Sequence, residues 1–374
     1  MIPLNKVYHA KNELRYVSES LSSESHSGDG RFSKACNEIL KRIFSGSFPL
    51  LTTSCTHSLE MSSLMFKIKP GDEVIIPSYT FVSTANAFLM RGATLIFCDS
   101  HQCNPNMDVQ HVKSLITKKT RIIVPVHYAG IACQMDELMS IGNEFNIKIV
   151  EDNAHGFGAY YKNKLLGTIG DLGCFSFHDT KNISCGEGGA ILINDKSLVP
   201  FGEIIREKGT DRSSFLRGEI DKYGWKELGS SYLLSDILAA KLVAQFEELD
   251  GITKKRKELW NYYYNSLLPL KDKELIDLPE VPNYSNHSGH IFYIVCKSIN
   301  VRDLLIAHLR VNGIQSAFHY QSLHKSEFFS KKYDGIELKN ADRFSNCLLR
   351  LPLYPDLSDN QIRIIIDEIF SFYN

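Results

Sequence analysis

The densest run of reactive side-chain types is Gly173-Cys-Phe-Ser-Phe-His-Asp-Thr-Lys-Asn-Ile-Ser-Cys-Gly-Glu-Gly-Gly-Ala190. An aromatic, strand-prone segment ends there in a polar turn that carries Lys181. Ser176 and His178 precede the lysine, and Gly186, Gly188 and Gly189 follow it. A lysine at the edge of an α/β sheet stands where open sheets build their ligand crevice. The glycines would let backbone come close to a bound group. Position alone favours a solvated loop lysine, so its neighbours have to carry the argument.

Three other runs supply those neighbours. Ile149-Val-Glu-Asp-Asn-Ala-His155 is an apolar strand that delivers Glu151, Asp152 and His155 at its carboxyl end. Asp152 reads either as the cap of a following helix or as a buried carboxylate. In the second role it could keep a pyridine nitrogen protonated, because a nearby opposite charge favours the charged ring. Leu51-Thr-Thr-Ser-Cys-Thr-His-Ser-Leu59 places hydroxyls at a helix start, where Ser54 or Thr56 can cap and the free N–H groups suit a phosphate. Pro77-Ser-Tyr-Thr-Phe-Val-Ser-Thr-Ala-Asn86 carries Tyr79 and Phe81 after a strand, fit for stacking on a planar group or for core packing. Amine, carboxylate, anion cradle and aromatic plate together describe a pyridoxal 5′-phosphate site, with Lys181 as the Schiff-base lysine and Asp152 on the ring nitrogen.

Other signals are weaker. His319 and His324 lie five apart, off a single helical face and without a third ligand, so no metal site is expected. Lys208, Arg212 and Arg217 form a basic stretch that reads as a solvated loop or as a grip on a nucleotide diphosphate. Nine cysteines are scattered with no CxxC pair, which points away from zinc ribbons and disulfide frameworks and towards a reducing cytoplasm. With 42 Lys and Arg against 43 Asp and Glu, the net charge of −1 creates no field for nucleic acid or anionic lipid. No stretch approaches the ~18 apolar residues of a membrane span.

These residues must be positioned by ordered elements, and the 374-residue chain is long enough for two or three domains. Short β-branched runs alternate with helical periods between about residues 50 and 195. Strands are predicted at Glu73–Pro77, Ala93–Asp99, Arg121–His127, Lys148–Asp152, Gly173–Phe177 and Ala190–Asn194, and helices at Ser83–Met90, Val109–Ile116 and Asp136–Phe145. This is a βαβ series, an α/β fold with helices on both faces of a mostly parallel sheet. A long helix over Ser235–Leu268, broken near Gly251, leads to a smaller α+β region. That region has a strand at His290–Cys296, a helix at Val301–Val311, an extended piece at Gln315–Tyr320 and a closing helix at Asn360–Phe372. The division expected is 1–245 and 246–374, with the first ~20 residues packing on the smaller part.

Over nearly its whole length the sequence resembles the DegT/DnrJ/EryC1/StrS sugar aminotransferases of the aspartate-aminotransferase fold (fold type I). The resemblance rests on Ser54-Cys-Thr56, Pro77-Ser-Tyr-Thr-Phe81, Pro125-Val-His127, Glu151-Asp152 with His155, Ser176-Phe-His178 with Lys181-Asn182, and Gly186-Glu-Gly-Gly189. It implies catalysis by Lys181 and Asp152, with Phe81 stacked on the cofactor. His155, where many relatives have Gln, would bond the cofactor's 3-oxygen. The phosphate would be held by Ser54, Cys55, Thr56 and Ser176. It also implies a homodimer whose sites lie at the interface. The partner would contribute Ser231-Tyr232, where relatives have Asn-Tyr, and Lys208, Arg212, Tyr232 and His319 are candidate substrate contacts. The substrates so implied are L-glutamate and a TDP-linked 4-keto-6-deoxy sugar. A C3-aminating enzyme, an enzyme giving the gluco product and a non-catalytic binding protein remain open. A dehydratase of the same family, with histidine for the lysine, is argued against by Lys181.

Overall fold

The computed structural model describes all 374 residues, Met1 to Asn374. Its main sheet is built from β1 (Phe48–Thr52), β2 (Glu73–Pro77), β3 (Thr94–Cys98), β4 (Thr120–Ile123) and β5 (Lys148–Asp152). After a small hairpin of β6 (Tyr160–Tyr161) and β7 (Lys164–Leu165) come β8 (Leu172–Ser176) and β9 (Gly189–Ile193). The seven strands lie in the order β1-β9-β8-β5-β4-β2-β3, and β9 alone runs against its neighbours. This is the mostly parallel sheet expected of the family fold.

Period-two alternation sends successive strand residues to opposite faces. Val74, Ile76, Val150 and Leu172 pack towards α3 (Cys55–Met65) and α4 (Val82–Leu89) after α1 (Glu13–Leu21) and α2 (Arg31–Ile43) have opened the chain. Ile75, Ile123 and Ile149 pack on the other face, against α5 (Val109–Leu115) and α6 (Met135–Phe145). Beyond β9 come α7 (Val199–Arg206), the short α8 (Arg212–Leu216), α9 (Asp236–Glu247) and α10 (Leu249–Asp272). A second, three-stranded antiparallel sheet then forms. Of β10 (Ile276–Asp277), β11 (Ser285–Asn286), β12 (Phe292–Cys296) and β13 (Leu348–Leu351), it takes β10-β12-β13, while β11 joins the β6–β7 hairpin. One face of this sheet is covered by α10, α11 (Ile299–Val311) and α13 (Asp359–Tyr373). The other turns towards the large sheet, and α12 (Lys339–Cys347) packs at that junction.

The long helix does break near Gly251, at Glu248, while Gly251 itself sits inside α10 with open space beside it. At that break the Tyr8 hydroxyl and the Lys11 N–H both donate to the Glu248 carboxylate and dock the N-terminal segment. Two expectations need correction. The fourth strand stops at Ile123 instead of reaching His127, because Pro125 has no N–H for the ladder. The extended piece from Gln315 makes only isolated bridges, Ile2 to Ile314 and Ala317 to Arg350.

Candidate active site

A cavity of about 550 Å³ opens at the carboxyl ends of β2, β5 and β8. Lys181 enters it from a turn that the ladder itself creates. Asp179 N–H donates to the Gly186 carbonyl at 3.1 Å and Lys181 N–H to the His178 carbonyl at 2.9 Å, with Gly186 at φ +96°. The amine makes no ion pair. Burial, only partly offset by Cys55 and Asp152 and reinforced to a smaller extent by the Arg350 charge, brings its pKa down to about 8. Asn182 anchors the turn, donating to the Ser288 carbonyl at 3.0 Å and meeting His290 Nδ1 at 2.9 Å.

Adjacent carboxylates on β5 part company. Glu151 lies on the Ile149 face, fully buried, where it accepts from the N–H groups of Gly167, Ile169 and Gly170 at 2.7–2.8 Å and pairs with His127 at 2.9 Å. It braces a loop and does not reach the cavity. Asp152 lies on the Val150 face and lines the cavity, held by the Thr84 hydroxyl at 2.7 Å and the Ala154 N–H at 3.2 Å. It caps no helix, because turns follow the strand. Burial raises its pKa, a cost that a cationic partner in the cavity would relieve.

Ser54 does cap α3, accepting from His57 N–H at 3.1 Å. The N–H groups of Cys55 and Thr56 remain without intrahelical partners, the free donors a helix start offers an anion. The Thr56 hydroxyl is committed to Ser83 Oγ at 2.8 Å, while Ser176 Oγ receives only a long bond from His178 N–H, at 3.4 Å. The glycines serve the chain itself. A Cβ on Gly189 would stand 2.4 Å from Ser54 C and 2.6 Å from Cys55 N, so this glycine lets the start of α3 approach β9.

His155 is buried with its pKa held well below the usual range, chiefly by desolvation. The Ala129 N–H points at its Nδ1 from 3.3 Å, which leaves Nε2 to carry the proton of the neutral ring, 3.3 Å from the Tyr320 hydroxyl. His319 lines the cavity beside Tyr320, with its Nδ1 2.7 Å from the Tyr128 hydroxyl. His324 lies elsewhere, bound to Ser78 Oγ at 2.6 Å. Phe81 is at the mouth, 55% exposed, with its ring centroid 6.1 Å from that of Tyr320.

The structure therefore brings Ser54, Cys55, Thr56, Phe81, Asp152, His155, Ser176, Lys181 and His319 around one space. Four expected contacts lie outside it. Lys208 and Arg212 pair with Glu207 at 3.1 and 3.3 Å, Ser231 is exposed, and Tyr232 is buried with its hydroxyl 3.5 Å from Glu60. The sequence reading missed Thr84, which nothing in its helix flags. It also missed His290 and Arg350, although Arg350 is the single charge in the apolar run Leu348–Leu353.

A suppressed amine across a cavity from a hydrogen-bonded carboxylate is the equipment of an enzyme that condenses with an aldehyde cofactor and holds its heterocycle protonated. The profile of the DegT/DnrJ/EryC1/StrS aminotransferase family matches residues 7–370, and the chain belongs to that family. Its members are aminotransferases that use pyridoxal phosphate. Among relatives, the "Uncharacterized protein MJ1066" of Methanocaldococcus jannaschii is 30% identical over 341 residues, covering 89% of this chain and 87% of that one. DesV of S. venezuelae, solved with a ketimine intermediate, superposes with a TM-score of 0.89 at 28% identity over 99% of this chain and 98% of its own. Spr1654 of Streptococcus pneumoniae in its PMP form gives 0.91 at 25% identity over 100% and 99%. The residues present fit that cofactor: two free N–H groups and a serine for phosphate, a carboxylate for the ring nitrogen and an unpaired amine for the aldehyde.

Proposed function

We propose that the chain transfers the amino group of L-glutamate to C4 of TDP-4-oxo-6-deoxy-D-glucose, giving TDP-4-amino-4,6-dideoxy-D-galactose for bacterial surface polysaccharides such as O-antigen and enterobacterial common antigen. The observation that carries the transamination reading is Lys181, a buried amine without an ion pair that lines the same cavity as Asp152. The choice of sugar is supported by the tracts Ile75–Ala87, Ile205–Thr210 and Leu348–Leu353, which carry the closer resemblance within the family. The reading includes a cytoplasmic homodimer, a cofactor-binding part at 1–245 and a smaller part at 246–374.

Pyridoxal phosphate, when bound, supplies an aldehyde for the amine and a ring that accepts the electrons of a broken Cα–H bond. Asp152 would hold the ring nitrogen protonated, Ser54, Cys55, Thr56 and Ser176 the phosphate, Phe81 the open ring face and His155 the 3-oxygen through Nε2–H. Lys181 Nζ, freed when the donor amine takes its place, would accept the proton from the donor's α-carbon and would deliver it to the carbon that was the cofactor's aldehyde. The sugar half-reaction runs the same proton movements in reverse, so one base serves both substrates.

The test is incubation with L-glutamate and TDP-4-oxo-6-deoxy-D-glucose, with the product solved by NMR. Amination at C4 with the galacto configuration is expected, and Lys181→Ala should lower turnover by at least ~10³-fold. Amination at C3 or a gluco product would overturn the sugar assignment, and parental turnover in the variant would overturn the role of the lysine.

A further inference from the structure

Lys181, whose amine makes no ion pair, is aimed by the backbone that carries it. That backbone is a loop, residues 177–188 between β8 and β9. Inside the loop, Ser184 Oγ donates to the Asp179 carboxylate at 2.9 Å and accepts from Gly186 N–H at 3.1 Å. Asn182 ties one side of it to Ser288 and His290. The other side is held from the start of the sequence. Asn5 Nδ2 donates at 3.1 Å to the carbonyl of Asp179, two residues before the lysine, and no other donor of the chain reaches that oxygen. Gln245, fully buried on α9, donates to the Tyr8 carbonyl at 2.8 Å and to the Glu13 carboxylate, and its oxygen takes a long bond of 3.5 Å from Ser184 N–H.

Asn5 is itself fixed on both flanks. Ahead of it, Ile2 N–H donates to the Gly313 carbonyl at 2.7 Å, Gln315 N–H to the Ile2 carbonyl at 2.9 Å, and Leu4 N–H to Gln315 Oε1 at 3.1 Å. Behind it, Tyr8 and Lys11 are docked on Glu248. Residues 1–11 therefore form a strap, pinned at one end to the C-terminal part and at the other to the junction of α9 and α10, with one amide turned onto the lysine loop.

We propose that Asn5 is a positioning residue for Lys181: its amide, held by the strap, fixes the loop so that the amine comes within proton-transfer reach of the donor's α-carbon. This rests on the transamination reading and adds a residue far outside the cavity to it. A displacement of about 1 Å at a reacting group can cost about 10²-fold in rate. Asn5 does not line the cavity, so its loss should slow the proton step and leave donor binding alone.

Three variants test this. Asn5→Ala removes the amide, Asn5→Asp keeps its shape but sets an oxygen against the Asp179 carbonyl, and Lys6→Ala breaks only an exposed pair with Asp356 on the same strap. In cofactor-free protein, hydrogen exchange read by mass spectrometry should quicken about tenfold over residues 178–186 in both Asn5 variants, with the rest of the chain and all of K6A at parental rates. In cofactor-loaded protein, the single-turnover rate with L-glutamate should fall about tenfold in the Asn5 variants while the half-saturating concentration stays within about twofold. The isotope effect from α-deuterated glutamate should be no smaller than in the parent; its disappearance would move the loss to another step and overturn the proposal. An unchanged rate in both Asn5 variants would overturn it, as would a rate loss without faster exchange in the loop. Faster exchange across the whole chain with a lowered thermal midpoint would make Asn5 an ordinary stabilising contact and overturn it too. If N5A does not fold, N5D carries the same comparison. A parent that never converts glutamate would refute the transamination reading, while exchange in the cofactor-free variants would still decide whether Asn5 holds the lysine loop.

Discussion

At the scale of single residues, Lys181 and Asp152 each bear the mark of burial without a matching partner. An unperturbed lysine has a pKa near 10.4, and burial lowers that of Lys181 to about 8. The neutral amine is the nucleophile, so its supply grows as pH rises through the folded value. With cofactor-free protein, the rate of pyridoxal phosphate capture, followed by absorbance, should climb about tenfold per pH unit below 8 and level off above it. A rate still climbing steeply at pH 10 would show an ordinary lysine. Asp152→Asn removes the negative charge and keeps the shape. Cofactor should still bind, and single-turnover rates with glutamate should fall on the order of 10²-fold. Unaltered rates would separate Asp152 from the ring nitrogen. Both residues could be read from sequence because each ends a strongly β-prone apolar run, where α/β sheets present their chemistry.

At the scale of elements, β5 shows how one strand divides two acids between two jobs. The period of two sends Glu151 into a nest of three backbone N–H groups and His127, and sends Asp152 to the cavity. Glu151→Gln would set an amide NH₂ against donors that need an acceptor. It should destabilise the fold by about 2–4 kcal/mol in urea unfolding, whereas Asp152→Asn should change stability far less. Equal midpoints for the two variants would contradict that division of labour. β2 and β5 matched their predicted bounds because apolar β-branched residues fill them and polar turns close them. β1, Phe-Pro-Leu-Leu-Thr, has neither alternation nor a clean boundary, and it is a strand because β9 pairs with all five of its residues. The helix break was legible to within three residues, at Glu248, but the docking of Tyr8 and Lys11 on that residue from some 240 positions earlier was not. Arg350 was hidden by the same kind of distance: a charge inside Leu-Leu-Arg-Leu-Pro-Leu looks like an edge-strand residue until the small sheet is laid against the large one.

At the scale of the molecule, the cavity of one chain lacks the contacts expected of Lys208, Arg212 and Ser231, and the segment that carries them is otherwise unexplained. It is rich in exposed apolar side chains, among them Leu216, Tyr223, Leu228 and Trp225, the last 81% exposed. Isolated large apolar side chains are ordinary on a protein surface, but four within thirteen residues of a basic stretch suit a surface covered in the assembly. In the proposed homodimer this segment would cross to the partner, and a basic residue such as Arg212 would serve the nucleotide diphosphate of the other site. A two-fold assembly makes that sharing reciprocal. Arg212→Ala should raise the KM for the nucleotide sugar while sparing the glutamate half-reaction, and Lys181→Ala should be inactive. Refolded together in equal amounts and assayed at a sugar concentration too low for Arg212→Ala to work, the two should recover about a quarter of parental activity, because half the dimers are hybrids and each hybrid holds one intact site. No recovery, with hybrids demonstrated by mixed tags, would place Arg212 in the service of its own chain and leave the apolar segment to some other contact.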